Sequence, residues 1–171
     1  MENNFCKTLN TRSDGLMPHT FIGTHHIHIV VCAGSLRFSD GKTLHTATAA
    51  HLVVWQMSNT IGNITYSPDF EADFLIVSAD FLQHYNPEMV WASKGFVFIR
   101  LNPSFHLGAD SLALIDNDLE QFRRRQSSLN PQFRRELLGH QLQLFLYDLW
   151  TVYWQGMTSM EASDNNGWTA V

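Results

Sequence analysis

A chain of 171 residues that is 44% hydrophobic and 16% charged, with 12 Phe and 5 Trp, has the composition of a core-bearing fold and not of a disordered chain. Its net charge of −5 leaves no basic surplus to neutralise a nucleic-acid backbone, which excludes a DNA-gripping domain as the reading of the chain by itself. Two cysteines, Cys6 and Cys32, exclude a disulfide framework, and no apolar run is long enough to span a bilayer.

Residues 1–20 are polar and carry no charged-then-apolar leader pattern. They are expected as an N-terminal arm, ordered or not, of a protein in the reducing cytoplasm. Cys32 lies in an apolar run and is expected to be buried. From 21 to 77 the chain reads as short strands divided by turn residues. A β-branched and aromatic run over 21–32 ends at Gly34. A strand at 36–39 leads into Asp40-Gly41, a dipeptide favoured in two-residue hairpins, and 42–48 is its partner. Then come 51–57, broken by Ser58-Asn59, the alternating 61–66, the turn Ser67-Pro68-Asp69, and 70–78. Many short strands without alternating helices indicate a sandwich or barrel.

The second half changes character. Residues 79–85 read as a short helix, 87–93 as another helical turn, and 96–101 as one more apolar strand closed by Asn102-Pro103. Leu112, Ile115, Leu119 and Phe122 then recur at helical spacing behind an N-cap at Asp110-Ser111. Asn130-Pro131 opens a last helix running to about Gln155, with a stripe of Leu138, Leu142, Phe145, Leu149 and Tyr153 widened by Leu146 and Trp150. Gly156 is the expected stop, and 157–171 are expected as a linker. Arg123, Arg124 and Arg125 end the first long helix, where cations complement the last carbonyls.

This order of elements, with His26-Ile27-His28, Gly34-Ser35-Leu36, Asp40-Gly41-Lys42 and the run Phe74-Leu75-Ile76-Val77-Ser78-Ala79-Asp80-Phe81-Leu82, resembles the N-terminal cupin-like domain of AraC-family transcription regulators. The resemblance covers about 21–155. It implies a mainly β fold with C-terminal helices: a cupin-like (double-stranded β-helix) barrel over 21–107, then an antiparallel helix pair over 108–156 that dimerises. Residues 157–171 would lead to a C-terminal helix-turn-helix domain missing from this chain. DNA would be bound only through that domain.

Candidate site residues follow from the strands. His26 and His28 are two apart, so they share one face, and on a barrel's inner wall they would begin a metal site. The family's metal pattern, however, would place a Glu where Cys32 stands, and no third His follows near Thr60 and Ile61. No metal and no cofactor is therefore expected, and the two histidines are read as polar ligand-pocket residues or as hydrogen-bonded barrel residues. Phe38 and Trp55 are either ligand-lining aromatics or plain core. Arg37 is either a pocket cation or an exposed strand residue, depending on register. Leu142, Leu146, Leu149 and Tyr153 either pack on the barrel or meet a twofold partner, and the resemblance favours the partner. No G-x-S-x-G or Gly-rich phosphate loop is present. The expectation is a small-molecule-sensing, homodimerising part of a bacterial regulator and not an enzyme. The rival is a stand-alone metal-dependent cupin enzyme, an isomerase or dioxygenase with its metal at His26 and His28.

Overall fold

The computed structural model describes residues 5–87, 89–127 and 131–166. The turn-punctuated segments of the first half form two antiparallel sheets. The larger has the order β1 (Cys6–Asn10), β7 (Glu71–Ser78), β2 (His25–Ala33), β5 (His51–Trp55) and β8 (Ser104–His106). The smaller has the order β4 (Thr43–Thr48), β3 (Ser35–Asp40) and β6 (Ile61–Tyr66). Gly41, at φ 59°, is the first of the two residues joining Asp40 to Thr43, the backbone shape a tight hairpin requires.

The chain passes between the sheets at corners with a local backbone cause. Gly34 has φ 67°, and a Cβ there would stand 2.4 Å from the Ser67 hydroxyl and 2.8 Å from the backbone of Asp69 and Phe70. The Ser67 hydroxyl accepts from the Ser35 amide at 2.8 Å, so two corners are tied together. Ala50, at φ 61°, turns β4 into β5 and donates its amide to the Val31 carbonyl at 2.9 Å. The strands on either side of these corners lie in different sheets. The sheets therefore face one another as open layers, and the closed cupin-like barrel expected from the resemblance is not formed among the described residues.

The expected arm contains β1, which pairs with β7 from Cys6↔Val77 to Asn10↔Asp73. Gln126 fastens it: its side-chain oxygen accepts from the Thr8 amide (3.2 Å) and hydroxyl (2.5 Å), and its Nε2 donates to the Cys6 carbonyl (2.9 Å). Cys32 sits at a bulge between Val31 and Ala33 that turns it outward, and Cys6 is the buried thiol.

The helices are α1 (Thr11–Asp14), α2 (Ala79–Tyr85), α3 (Met89–Leu101), α4 (Ala109–Gln126) and α5 (Arg134–Asn166). The strand expected at 96–101 is the end of α3, which buries Gly95, Phe98 and Ile99 and exposes Val97 and Leu101. That is a helical period, so packing overrides the strand propensity of Val97-Phe98-Ile99. Gly108, not Asp110, caps α4, and without a side-chain bond. The Asn130 cap lies outside the described residues. The helix does not stop at Gly156, where a Cβ would stand 3.2 Å from the Phe98 ring: that glycine serves packing, and α5 continues through Asn166. The first ten residues of the expected linker are therefore helical, and 167–171 lie outside the described residues.

Two cores result. Ile27, Ile29, Leu36, Phe38, Trp55 and Phe74 fill the space between the sheets. The outer face of the larger sheet, with Leu52, Val54, Leu75 and Val77, is covered by α4 and α5 through Phe122, Leu142, Phe145 and Leu149. Central strands buried on both faces explain the near-continuous apolar runs of β2, β5 and β7. No helix among the described residues is long and apolar enough to cross a membrane.

Candidate functional site

Strand alternation divides the expected ligand-lining residues. In β2, Ile27 and Ile29 point between the sheets, so His26 and His28 point the other way, toward the helices. They do not lie on an inner barrel wall. Phe38 and Trp55 belong to the inter-sheet core, with ring centroids 5.4 Å apart, and Phe38 stacks on His45 at 5.0 Å. Arg37 is exposed on the smaller sheet, between Thr46 and Thr65. The five residues therefore do not form one site. Among the described residues, no three His, Cys, Asp or Glu side chains gather as a metal set.

What the structure does form is a cavity of about 180 Å³ under α2, α3 and α5, floored by β2 and the end of β5. His26, His28, Val54 and Gln56 line its floor. Leu82 and Asn86 come from α2 and its end, Phe96 and Ile99 from α3, and Leu146, Leu149, Trp150 and Tyr153 from α5. Gly95 permits the approach of α3, since a Cβ there would already stand 3.2 Å from the Trp150 ring.

The lining is apolar except for a few polar atoms without partners. His28 and Gln56 are only 6% and 7% exposed. His28 Nδ1, Gln56 Oε1 and Asn86 Oδ1 are all buried with no hydrogen-bond partner. Gln56 Nε2 donates to the Phe96 carbonyl at 3.4 Å, which leaves Oε1 as the free end of that amide. Burial, with His26 beside it, pushes the His28 imidazole down to about 3, against a smaller upward pull from a hydrogen bond between its ring and the Leu75 backbone. Burial and His25 also lower His26. The floor is thus neutral at physiological pH, and buried polar atoms left bare are costly unless something fills the space.

Gln56 and Asn86 were not singled out from the sequence. Gln56 did carry a signal, because it continues the alternation of Leu52 and Val54 on the helix-facing side, so a polar residue falls in phase with a buried face. Asn86 only looks like the end of a helix before Pro87.

The residues expected at a dimer interface are buried within this chain. Leu142, Leu146, Leu149 and Tyr153 are 0%, 6%, 2% and 3% exposed, packed into this chain's own core. They leave no face for a partner. Among the described side chains, the exposed large apolar residues of α5 are Leu137, Leu144, Tyr147 and Trp154, the last three 57%, 50% and 51% exposed. With exposed His140 and Thr151 they step by three and four, the spacing of a coiled-coil seam. Trp91 of α3 extends this surface, edge-on to Trp154 at 5.8 Å. Val90, Val97 and Leu101 add to the exposed apolar residues of α3.

The arginines at the end of α4 are engaged within the chain. Arg123 pairs with Asp73 at 2.5 Å and with Glu120 at 3.1 Å, Arg124 with Glu120 at 2.9 Å, and Arg125 donates to Gln141 at 3.0 Å.

The chain matches no family model and no curated protein sequence. Its fold is similar to the crystal structure of the AraC-like transcriptional activator CuxR, with a TM-score of 0.53 and 8% sequence identity. That alignment covers 87% of this chain and 48% of the activator's chain, so the chain spans about half the length of that protein. At this identity the likeness concerns the fold.

Proposed function

We propose that this chain is the small-molecule-sensing and homodimerisation module of a bacterial AraC-like transcription regulator in the cytoplasm, with DNA bound by a helix-turn-helix part outside these residues. The observation that supports it most is the likeness of nearly the whole chain to about half of an AraC-like activator. The acidic balance fits a module that leaves DNA to another part. Sensing is placed in the cavity over His28 and Gln56, where a mostly apolar lining ends in a few convergent polar atoms. Dimerisation is placed on the outer stripe Leu144, Tyr147, Thr151 and Trp154, because the inner stripe is already used. The ligand acts through different affinity for two arrangements of the helices.

The test uses the complete gene product beside this chain. The complete protein is expected to retard DNA from its own upstream region, and this chain alone is not. The chain is expected to sediment as a concentration-dependent dimer that Tyr147→Asp disperses. A chain that stays monomeric at every concentration overturns the dimer. Absence of DNA binding by the complete protein overturns the regulator, as does stoichiometric iron, manganese or zinc with turnover.

A further inference from the structure

Resting on the sensing role proposed above, we infer that the cavity over His28 and Gln56 takes a small, neutral, planar molecule that carries hydrogen-bond donors. Four observations converge on this class. The first is charge. Among the described residues no Asp, Glu, Lys or Arg lines the cavity, and its two histidines are held neutral by burial. An ion entering such a space would lose its hydration with no opposite charge to receive it.

The second is size. A cavity of about 180 Å³ is slightly larger than the roughly 150 Å³ engineered cavity that accepts benzene, so one ring with a short substituent fills it. The third is shape. Phe96, Trp150 and Tyr153 contribute aromatic walls from two helices, and flat walls favour a flat occupant. The fourth is hydrogen bonding. Gln56 Oε1 and Asn86 Oδ1 are bare acceptors, and the Gln56 amide is oriented by the bond from its Nε2 to Phe96. His28 Nδ1 is bare beside them. A partner complementary to two carboxamide oxygens brings N–H or O–H groups.

The residues come from separate elements: the histidines from β2, Gln56 from the end of β5, Asn86 from the end of α2, and the aromatics from α3 and α5. Such convergence of bare polar atoms is not required by packing of any one element. The cavity also differs in place from the inter-sheet space, which Phe38, Trp55 and Phe74 occupy.

Four ring compounds of similar size separate the contributions: benzamide (neutral, with donors), benzoate (anionic), benzylammonium (cationic) and toluene (no donor). Dissociation constants are measured by ligand-observed NMR on the whole chain. Benzamide is expected to bind about tenfold or more tightly than the other three. Gln56→Leu is expected to remove its advantage over toluene while leaving toluene binding intact. Ala92→Phe, which fills the cavity without removing a polar group, is expected to block all four, with circular dichroism confirming the fold. Benzoate or benzylammonium binding as tightly as benzamide overturns the ligand class and leaves the sensing role standing. If none of the four binds, and a crystal structure shows only ordered water bonded to Gln56 and Asn86, the ligand class and the sensing role fall together. The dimer and DNA readouts remain independent of that result.

Discussion

The placement of the two stripes of α5 is most directly tested by a pair of leucines two positions apart. Leu142 is fully buried against the sheet and α4, whereas Leu144 is 57% exposed on the opposite side. Leu142→Ala removes three carbon atoms from a packed site. At about 0.8 kcal/mol per methyl or methylene the transfer loss is about 2.4 kcal/mol, and the unfilled space raises the total to about 3–4 kcal/mol. With a urea slope of about 2 kcal/mol/M, the unfolding midpoint should fall by about 1.5–2 M. Leu144→Ala should change stability by less than about 0.5 kcal/mol in dilute, monomeric protein, the usual range for a surface change, and so move that midpoint by less than about 0.25 M. Sedimentation at high concentration should show the reverse order, with Leu144→Ala weakening self-association and Leu142→Ala altering it only through lost stability. Urea unfolding followed by circular dichroism, beside sedimentation velocity, measures both. The reasoning is refuted if Leu142→Ala leaves the midpoint unchanged and abolishes the dimer, because the inner stripe would then be the partner's.

Three further substitutions probe the scaffold. Asp118 is buried between α4 and α5, accepts from Gln141 Nε2 at 3.0 Å, and is pushed up to about 7 by burial and by the neighbouring Asp148 carboxylate. With its folded pKa above its unfolded value, its stabilisation is full below about pH 4 and is lost as pH rises through about 7. Asp118→Asn should therefore abolish a fall in stability of about 2 kcal/mol, after allowance for solvent screening, and parallel pH curves for the two proteins would count against it. Gly139→Ala places a Cβ 2.1–2.5 Å from the Tyr85 ring, so thermal melts should show a loss of about 1–3 kcal/mol despite the better helix propensity of alanine. A more stable variant would show that Tyr85 does not seat on α5. Gln126→Ala removes the tie between α4 and β1, and amide exchange over 6–10 should quicken by about tenfold or more while exchange in β2 stays slow. Equal protection in both proteins would leave the tie without consequence.

Much of the β half is legible because its turns have distinctive chemistry. Asp40-Gly41 and Ser67-Pro68-Asp69 mark strand ends without reference to the rest of the fold. The inner stripe of α5 is equally plain. The faces of β2 are not, because Ile27, Ile29 and Val31 alternate with His28 and Val30, and both sets are buried. A strand covered on both sides carries no signal of which side meets a sheet and which a helix. That ambiguity placed His28 in one pocket with Phe38 and Trp55, when a layer of backbone separates them. The outer stripe of α5 was hidden for a related reason. The helix is apolar on two faces, and the wider inner stripe draws attention from Leu144, Tyr147 and Trp154. In α3, the β-branched and aromatic run Val97-Phe98-Ile99 looks like a strand until Gly95 and Phe98 are seen packing on Trp150 and Tyr153.

Trp150 is where the two proposed roles meet. It is largely buried, yet it lines both the inner cavity and an outer cleft with Trp91, Tyr147, Thr151 and Trp154. Its ring meets Tyr147 edge-on at 5.4 Å on the exposed face, while Gly95 lets α3 close on it from the other side. A molecule seated over His28 would therefore press on a ring that also shapes the proposed dimer surface. No relay through the sheet is needed, because a single turn of α5 carries Leu149 and Trp150 toward the cavity and Tyr147 and Thr151 toward the outer cleft. Linkage then makes the effect mutual: if occupation of the cavity favours one seating of Trp150, any partner that favours the same seating tightens ligand binding by the same factor. A cavity between helices, and not one sealed between sheets, is the arrangement in which a small ligand has such a lever.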